Sequence, residues 1–161
     1  MNNIVSGKSG HHSPLVPMII FVLAVVGISL TIGYLTPPGT WYQNLVKPAF
    51  NPPPWVFGPV WTILYILVAI AGWRIWRMAP NSAAMQLWVV QMVLNWMWSP
   101  AFFALQSPWL ALVIIVAMLI AILLFMVQAR RHDKAAALLF VPYACWVAFA
   151  TLLNASIAYL N

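Results

Sequence analysis

Trp61 and Tyr65 stand four residues apart. Gln91, Asn95, Trp98, Ser99 and Phe102 follow i, i+4, i+7, i+8 and i+11, and Tyr143, Trp146, Ala150 and Asn154 follow i, i+3, i+7 and i+11. Residues at such spacings share one face of a helix. Three segments therefore each carry a stripe of aromatic rings, two of them interrupted by amides. Rings of this kind stack on flat apolar ligands, and a few polar tips fix orientation. The set pairs no nucleophile with a base and no acid with a base, so its chemistry is recognition rather than proton transfer.

The remaining polar residues add little reactivity. Asp133 is the chain's only acid. Proton-coupled transporters use an ionisable group within the membrane, so coupled antiport is not expected. Asp133 reads as part of a turn charge cluster with Arg131 and Lys134. His11, His12 and His132 lie in end segments far from the stripes, so no metal site and no histidine-ligated haem is expected. Cys145, the single cysteine, sits in an apolar run and reads as a small buried hydrophobe. No Ser–His–Asp, phosphate-loop or zinc motif occurs.

The elements that must position the stripes follow from composition. Of 161 residues, 65% are hydrophobic and 5% charged, against about 25% charged in soluble domains. An all-α integral membrane bundle of five transmembrane helices is predicted, at about 14–36, 53–77, 82–105, 108–129 and 135–159. These form a single domain over 14–161 behind a polar tail, 1–13. Pro80-Asn81-Ser82 and Gln106-Ser107-Pro108 punctuate the spans. Pro59, Pro100 and Pro142 each withhold an N–H from the turn before them. The fourth span is almost purely aliphatic and reads as the mainly lipid-facing helix.

The net charge of +6 does not indicate nucleic acid, because the basic residues flank apolar segments. Lys8, Arg74, Arg77, Arg130, Arg131 and Lys134 fall on the N-terminal side and Lys47 alone on the other. In a plasma membrane that bias places the N-terminus in the cytoplasm.

One connection is long. Residues 37–52 form a stiff lid carrying Trp41, Tyr42, Lys47, Pro48 and Phe50. At 1.5 Å per residue, Trp61 lies roughly 12 Å below that side, Tyr65 roughly 18 Å, Asn95 roughly 15 Å, Trp98 roughly 10 Å and Trp146 roughly 20 Å. Interfacial belt residues would sit at the edges. These converge instead in one half of the membrane, which describes a lidded pocket. Porphyrins suit it, having a wide apolar face and two acidic groups that Lys47, Trp41 and Tyr42 could meet at the mouth.

Three blocks carry a family resemblance: WYQNLVKPAFNPPPWVFGPVWTILY at 41–65, LNWMWSPAFF at 94–103 and LLFVPYACWVAFATLLN at 138–154. The chain resembles the tryptophan-rich sensory protein family, TspO, whose animal members are the mitochondrial translocator protein, or peripheral benzodiazepine receptor. The match covers about residues 37–159. It implies a five-helix bundle, often a homodimer, that binds protoporphyrin IX and haem as ligands and requires no cofactor. It implies pocket positions at Phe57, Trp61, Asn95, Trp98, Trp109, Trp146, Ala150 and Leu153; of these, Phe57, Trp109 and Leu153 come from the resemblance alone. Some bacterial members are linked to light- and oxygen-dependent porphyrin breakdown, with Trp61 and Trp146 at the implicated positions. Animal relatives also bind cholesterol, through a Tyr-and-basic motif that is incomplete here at Tyr159. Phe50 stands where many members have Trp. For the dimer face, Ala117/Ala121 and Ala144/Ala148 have small-residue spacing.

The function expected is a receptor, sensor or carrier that binds tetrapyrroles and related flat hydrophobic ligands in the membrane. A porphyrin-degrading enzyme is the alternative, and a membrane scaffold or lipid-regulatory protein the second alternative. The partners expected are a porphyrin-type small molecule, membrane lipid and a second copy of the chain. The setting expected is an integral multi-pass membrane protein, bacterial in origin.

Overall fold

The computed structural model describes residues 15–161, and these are helical without strands. The expected tail, 1–13, with Lys8, His11 and His12, lies outside the described residues. The elements are α1 (Leu15–Leu35), α2 (Thr40–Asn44), α3 (Pro54–Met78), α4 (Ala83–Ser99), a π-helical turn (Pro100–Ala104), α5 (Pro108–Ala129), α6 (Lys134–Leu139) and α7 (Val141–Leu160). Among the described residues, four stretches are long and apolar enough to cross a membrane: α1, α3, α5 and the α6–α7 run. The expected third span, 82–105, is divided. Its α-helical part, α4, has 17 residues and runs directly into the π turn.

Proline chemistry explains both divisions. Pro100 has no N–H to return to the preceding turn, and the helix widens after it. Leu105 N–H bonds to the Pro100 carbonyl at 2.9 Å, and Ser107 N–H to the Ala101 carbonyl at 3.2 Å. Gln106 then turns the chain with φ of 50°, a left-handed conformation uncommon outside glycine. Pro142 separates α6 from α7 at Phe140, and the Phe140 carbonyl accepts from Ala144 N–H at 2.8 Å. Pro59 stays within α3. Ser82 caps α4, as its sequence position predicts, by accepting from Met85 N–H at 3.3 Å.

The packing order corrects one expectation. α5 is not the lipid-facing helix. It lies between α4 and α7 and buries Ala111, Ile115, Met118, Ile122, Phe125 and Ala129 at helical spacing. Because its other faces are equally apolar, no amphipathic contrast marks this seam. The peripheral helix is α1, which packs mainly on α3 and buries only Val25 and Ser29. Ala121 is buried within the chain. Cys145 is exposed rather than buried, on the outer side of α7, where hydrocarbon accommodates a thiol as readily as a core does.

The bundle is tightest away from the lid. Gly72 of α3 faces the Trp88 indole of α4 so closely that a Cβ there would overlap the ring, and the Trp88 indole N–H bonds to the Val68 carbonyl at 2.9 Å. Asp133 does not belong to a cluster with Arg131 and Lys134. Its oxygens accept from Arg74 Nε at 2.5 Å and Nη2 at 3.1 Å, and cap α6 through Ala135 and Ala136 N–H at 2.9 and 3.4 Å. The Arg74 guanidinium and these amides hold the carboxyl below its ordinary pKa. Two long-range contacts thus close this end, and the helices part toward the lid.

Candidate functional site

Where the helices part, they enclose a cavity of about 800 Å³ bounded by α1, α3, α4, the π turn, α7 and the lid. That is within the range of ligand pockets, about 300–1,000 Å³. Of the residues singled out by spacing or resemblance, Phe57, Trp61, Tyr65, Asn95, Trp98, Phe102, Trp146, Ala150 and Leu153 line it, as do Tyr42 and Lys47 of the lid.

The floor is a fixed polar chain. Asn95 Oδ1 accepts from the Tyr65 hydroxyl at 3.1 Å, and Asn95 Nδ2 donates to the Tyr143 hydroxyl at 3.0 Å. The Tyr143 hydroxyl donates to Gln91 Oε1 at 3.0 Å, and Gln91 Nε2 to the Trp88 carbonyl at 2.9 Å. Both polar atoms of the Gln91 and Asn95 amides thus have partners, as burial in an apolar medium demands. Trp61 stacks on Tyr65 with ring centroids 5.3 Å apart, so the floor presents a flat face upward.

The walls differ in how firmly they are held. The Trp98 indole N–H donates to Asn154 Oδ1 at 3.0 Å, and Asn154 Nδ2 to the Pro108 carbonyl at 2.9 Å. Trp98 also stacks on Phe102 at 5.5 Å. Phe102 and Phe103 of the π turn both line the cavity. Trp146 is different. Its indole nitrogen is buried without a hydrogen-bond partner, and its ring meets Phe57 edge-on at 6.0 Å and Phe149 at 5.6 Å.

The roof is the lid. Trp41 and Tyr42 rest edge-on against Phe102 at 5.8 and 6.1 Å. Burial raises the Tyr42 phenol above its ordinary pKa. The Pro48 carbonyl accepts Asn51 N–H at 3.0 Å and closes a turn. Asn161 clamps the loop to α7: Val46 N–H donates to its Oδ1 at 2.9 Å, and its Nδ2 donates to the Val46 carbonyl at 3.0 Å.

Two residues expected to line the cavity, Trp109 and Tyr143, do not. Trp109, on the first turn of α5, is 61% exposed on the outer surface. Tyr143 is fully buried behind the floor. Trp41 and Pro48 shape the lid without facing inward, and Phe50 packs on Phe149 at 6.3 Å. In turn, the α1 wall escaped the sequence reading. There Ser29 Oγ accepts from the Trp96 indole N–H at 2.9 Å, and Thr36 Oγ1 lies 2.6 Å from Ser99 Oγ. Ser29, Gly33 and Thr36 recur at i, i+4 and i+7, a small-and-polar stripe that would have marked this face.

Known proteins carry the same pattern. A tryptophan-rich protein TspO of Chlorobaculum tepidum is 43% identical over 146 residues, covering 84% of this chain and 92% of its own length. A tryptophan-rich sensory protein of Cereibacter sphaeroides is 37% identical, with 86% and 88% covered. The human translocator protein is 34% identical, with 71% and 70% covered. The family model described as the TspO/MBR family matches residues 18–160. With apolar helices of crossing length and this match along nearly the whole described chain, the protein is a multi-pass membrane protein that belongs to the TspO/MBR family.

Proposed function

We propose that the chain is a membrane receptor or carrier for tetrapyrroles, protoporphyrin IX and haem among them, which bind as ligands by ring-face stacking rather than through an axial residue. The observation that carries this reading is the 800 Å³ cavity beneath the lid, where Trp61, Trp98, Trp146 and Phe57 surround one space. Stacking on such rings supplies affinity without proton or redox chemistry. In this reading α4 and the π turn together make the fifth crossing. Lys47 then lies opposite Arg74, Arg77, Arg130, Arg131 and Lys134, and the N-terminus is cytoplasmic if the host is an inner membrane. A homodimer embedded in lipid is the assembly we favour.

Titration with protoporphyrin IX tests the reading through quenching of tryptophan fluorescence. Substituting Trp61→Phe, Trp98→Ala and Trp146→Phe together is expected to abolish saturable quenching; undiminished affinity would sink the assignment. A second reading, light-driven porphyrin degradation, draws on the stack of Trp61 on Tyr65 and the edge contact of Trp61 with Tyr143 at 6.3 Å, a row of oxidisable rings leading from the cavity into the core. Under illumination and equal oxygen, a Trp61→Phe/Trp146→Phe variant that loses porphyrin as fast as the parent rejects it.

A further inference from the structure

The lid carries one cation, Lys47, that makes no ion pair among the described residues. Lys47 is the only cation lining the cavity among the described residues. The chain's only acidic side chain, Asp133, is engaged by Arg74 and the α6 amides at the opposite end. Asn161 reaches the same loop through its side chain, yet Lys47 makes no ion pair with any carboxylate of the described residues.

The Lys47 ammonium is nevertheless held in place. Its Nζ donates to the Gln43 carbonyl at 3.1 Å and the Leu45 carbonyl at 3.2 Å, and sits 4.6 Å above the centre of the Tyr42 ring. An ammonium has three N–H groups, so one remains. Carbonyl dipoles and a ring face attract a cation but carry no compensating charge. The neighbouring Val46 is fixed by the Asn161 clamp, which limits the ordering cost of using Lys47 as a contact.

We infer that Lys47 is the specificity-determining residue of the cavity, selecting flat apolar ligands that carry a carboxylate at the lid end. A singly charged carboxylate matches one ammonium with one free N–H. The aromatic floor and walls take the ring while the acid lies under the lid, so the ligand binds in one orientation.

The inference rests on the binding reading above, and one experiment separates the two. Protoporphyrin IX and its dimethyl ester are titrated against the full chain and its Lys47→Gln and Lys47→Arg variants in the same detergent. The ester has the same ring and no acid. A charge-assisted hydrogen bond makes the acid bind roughly tenfold tighter than the ester in the parent. Lys47→Arg keeps that preference, and Lys47→Gln removes it by weakening the acid alone. Comparing acid-to-ester ratios between variants cancels partitioning into detergent. An unchanged ratio in Lys47→Gln overturns the inference, as does equal weakening of acid and ester, which would make Lys47 a lid strut. Failure of both probes to bind the parent defeats the binding reading itself, and this inference with it.

Discussion

The Tyr65 hydroxyl donates to the Asn95 side-chain carbonyl at 3.1 Å, joining α3 to α4 across the cavity floor. The same amide donates to Tyr143 of α7, so one asparagine ties three helices. Tyr65→Phe removes one donor and leaves Asn95 Oδ1 open to the cavity. Side-chain hydrogen bonds between membrane helices average about 0.6 kcal/mol, so a loss of that order is expected. Asn95→Ala strips partners from Tyr65 and Tyr143 together and is expected to cost about 2–3 kcal/mol. Thermal unfolding in detergent checks the order: equal effects from the two variants would mean that the bond to Tyr143 contributes nothing.

Gly72 has no room for a side chain. Alanine there pushes the Trp88 indole off the Val68 carbonyl. Overpacking of this kind costs about 1–3 kcal/mol. The double variant Gly72→Ala/Trp88→Leu should be less destabilised than the two single effects combined, because each relieves the other. Additive losses measured by chemical denaturation would argue that the two positions are independent.

Asp133 gives the protein an acid-sensitive end. Its carboxyl is held low by Arg74 in the folded state. A depressed pKa contributes stability that is complete above the ordinary carboxylate value of about 3.9 and is lost as pH falls through the lower folded value. Arg74 is 44% exposed, which screens the pair. Asp133→Asn, which retains a capping oxygen, should therefore be mildly destabilised at pH 7 and should lose the steep decline of Tm below about pH 4. Asp133→Ala loses the cap as well, at an added cost of about 1 kcal/mol. A Tm–pH curve for Asp133→Asn that overlays the parent would refute this account.

The clamp between Asn161 and Val46 sets lid mobility. Asn161→Ala removes both bonds to the loop, which lie at the exposed surface. Global stability should change by less than about 1 kcal/mol, while the Val46 amide should exchange with deuterium faster. Unaltered protection at Val46 would show that the lid is held from elsewhere.

The sequence disclosed this site unevenly, for physical reasons. Trp61, Asn95, Trp98 and Trp146 were legible because aromatic and amide residues stand out against aliphatic helices. The α5 seam was not, since alanine, isoleucine and methionine face protein and hydrocarbon alike. The α1 wall was missed because serine, glycine and threonine are ordinary within membrane helices, although Ser29, Gly33 and Thr36 share a face. The division of the last span at Phe140 follows from Pro142, whose effect was foreseen as a freed carbonyl rather than a break. Trp109 and Phe50 show the limit of placing residues by depth or likeness: each lies near the lid end, but its helix or loop turns it outward.

The two bonds from α1 to α4, at Ser29 and Thr36, bear on mechanics. A helix that buries only Val25 and Ser29 is not pressed home by apolar burial, because the surrounding chains solvate it equally well. Two hydroxyl bonds to α4, with Phe21 set against Trp73, Trp76 and Trp88, hold it in place. Bilayer thickness and lateral pressure act directly on such a helix, and with it on the width of the cavity. On the binding reading, ligand affinity is then a joint property of the protein and the elastic sheet around it, so a dissociation constant has meaning only for a stated membrane.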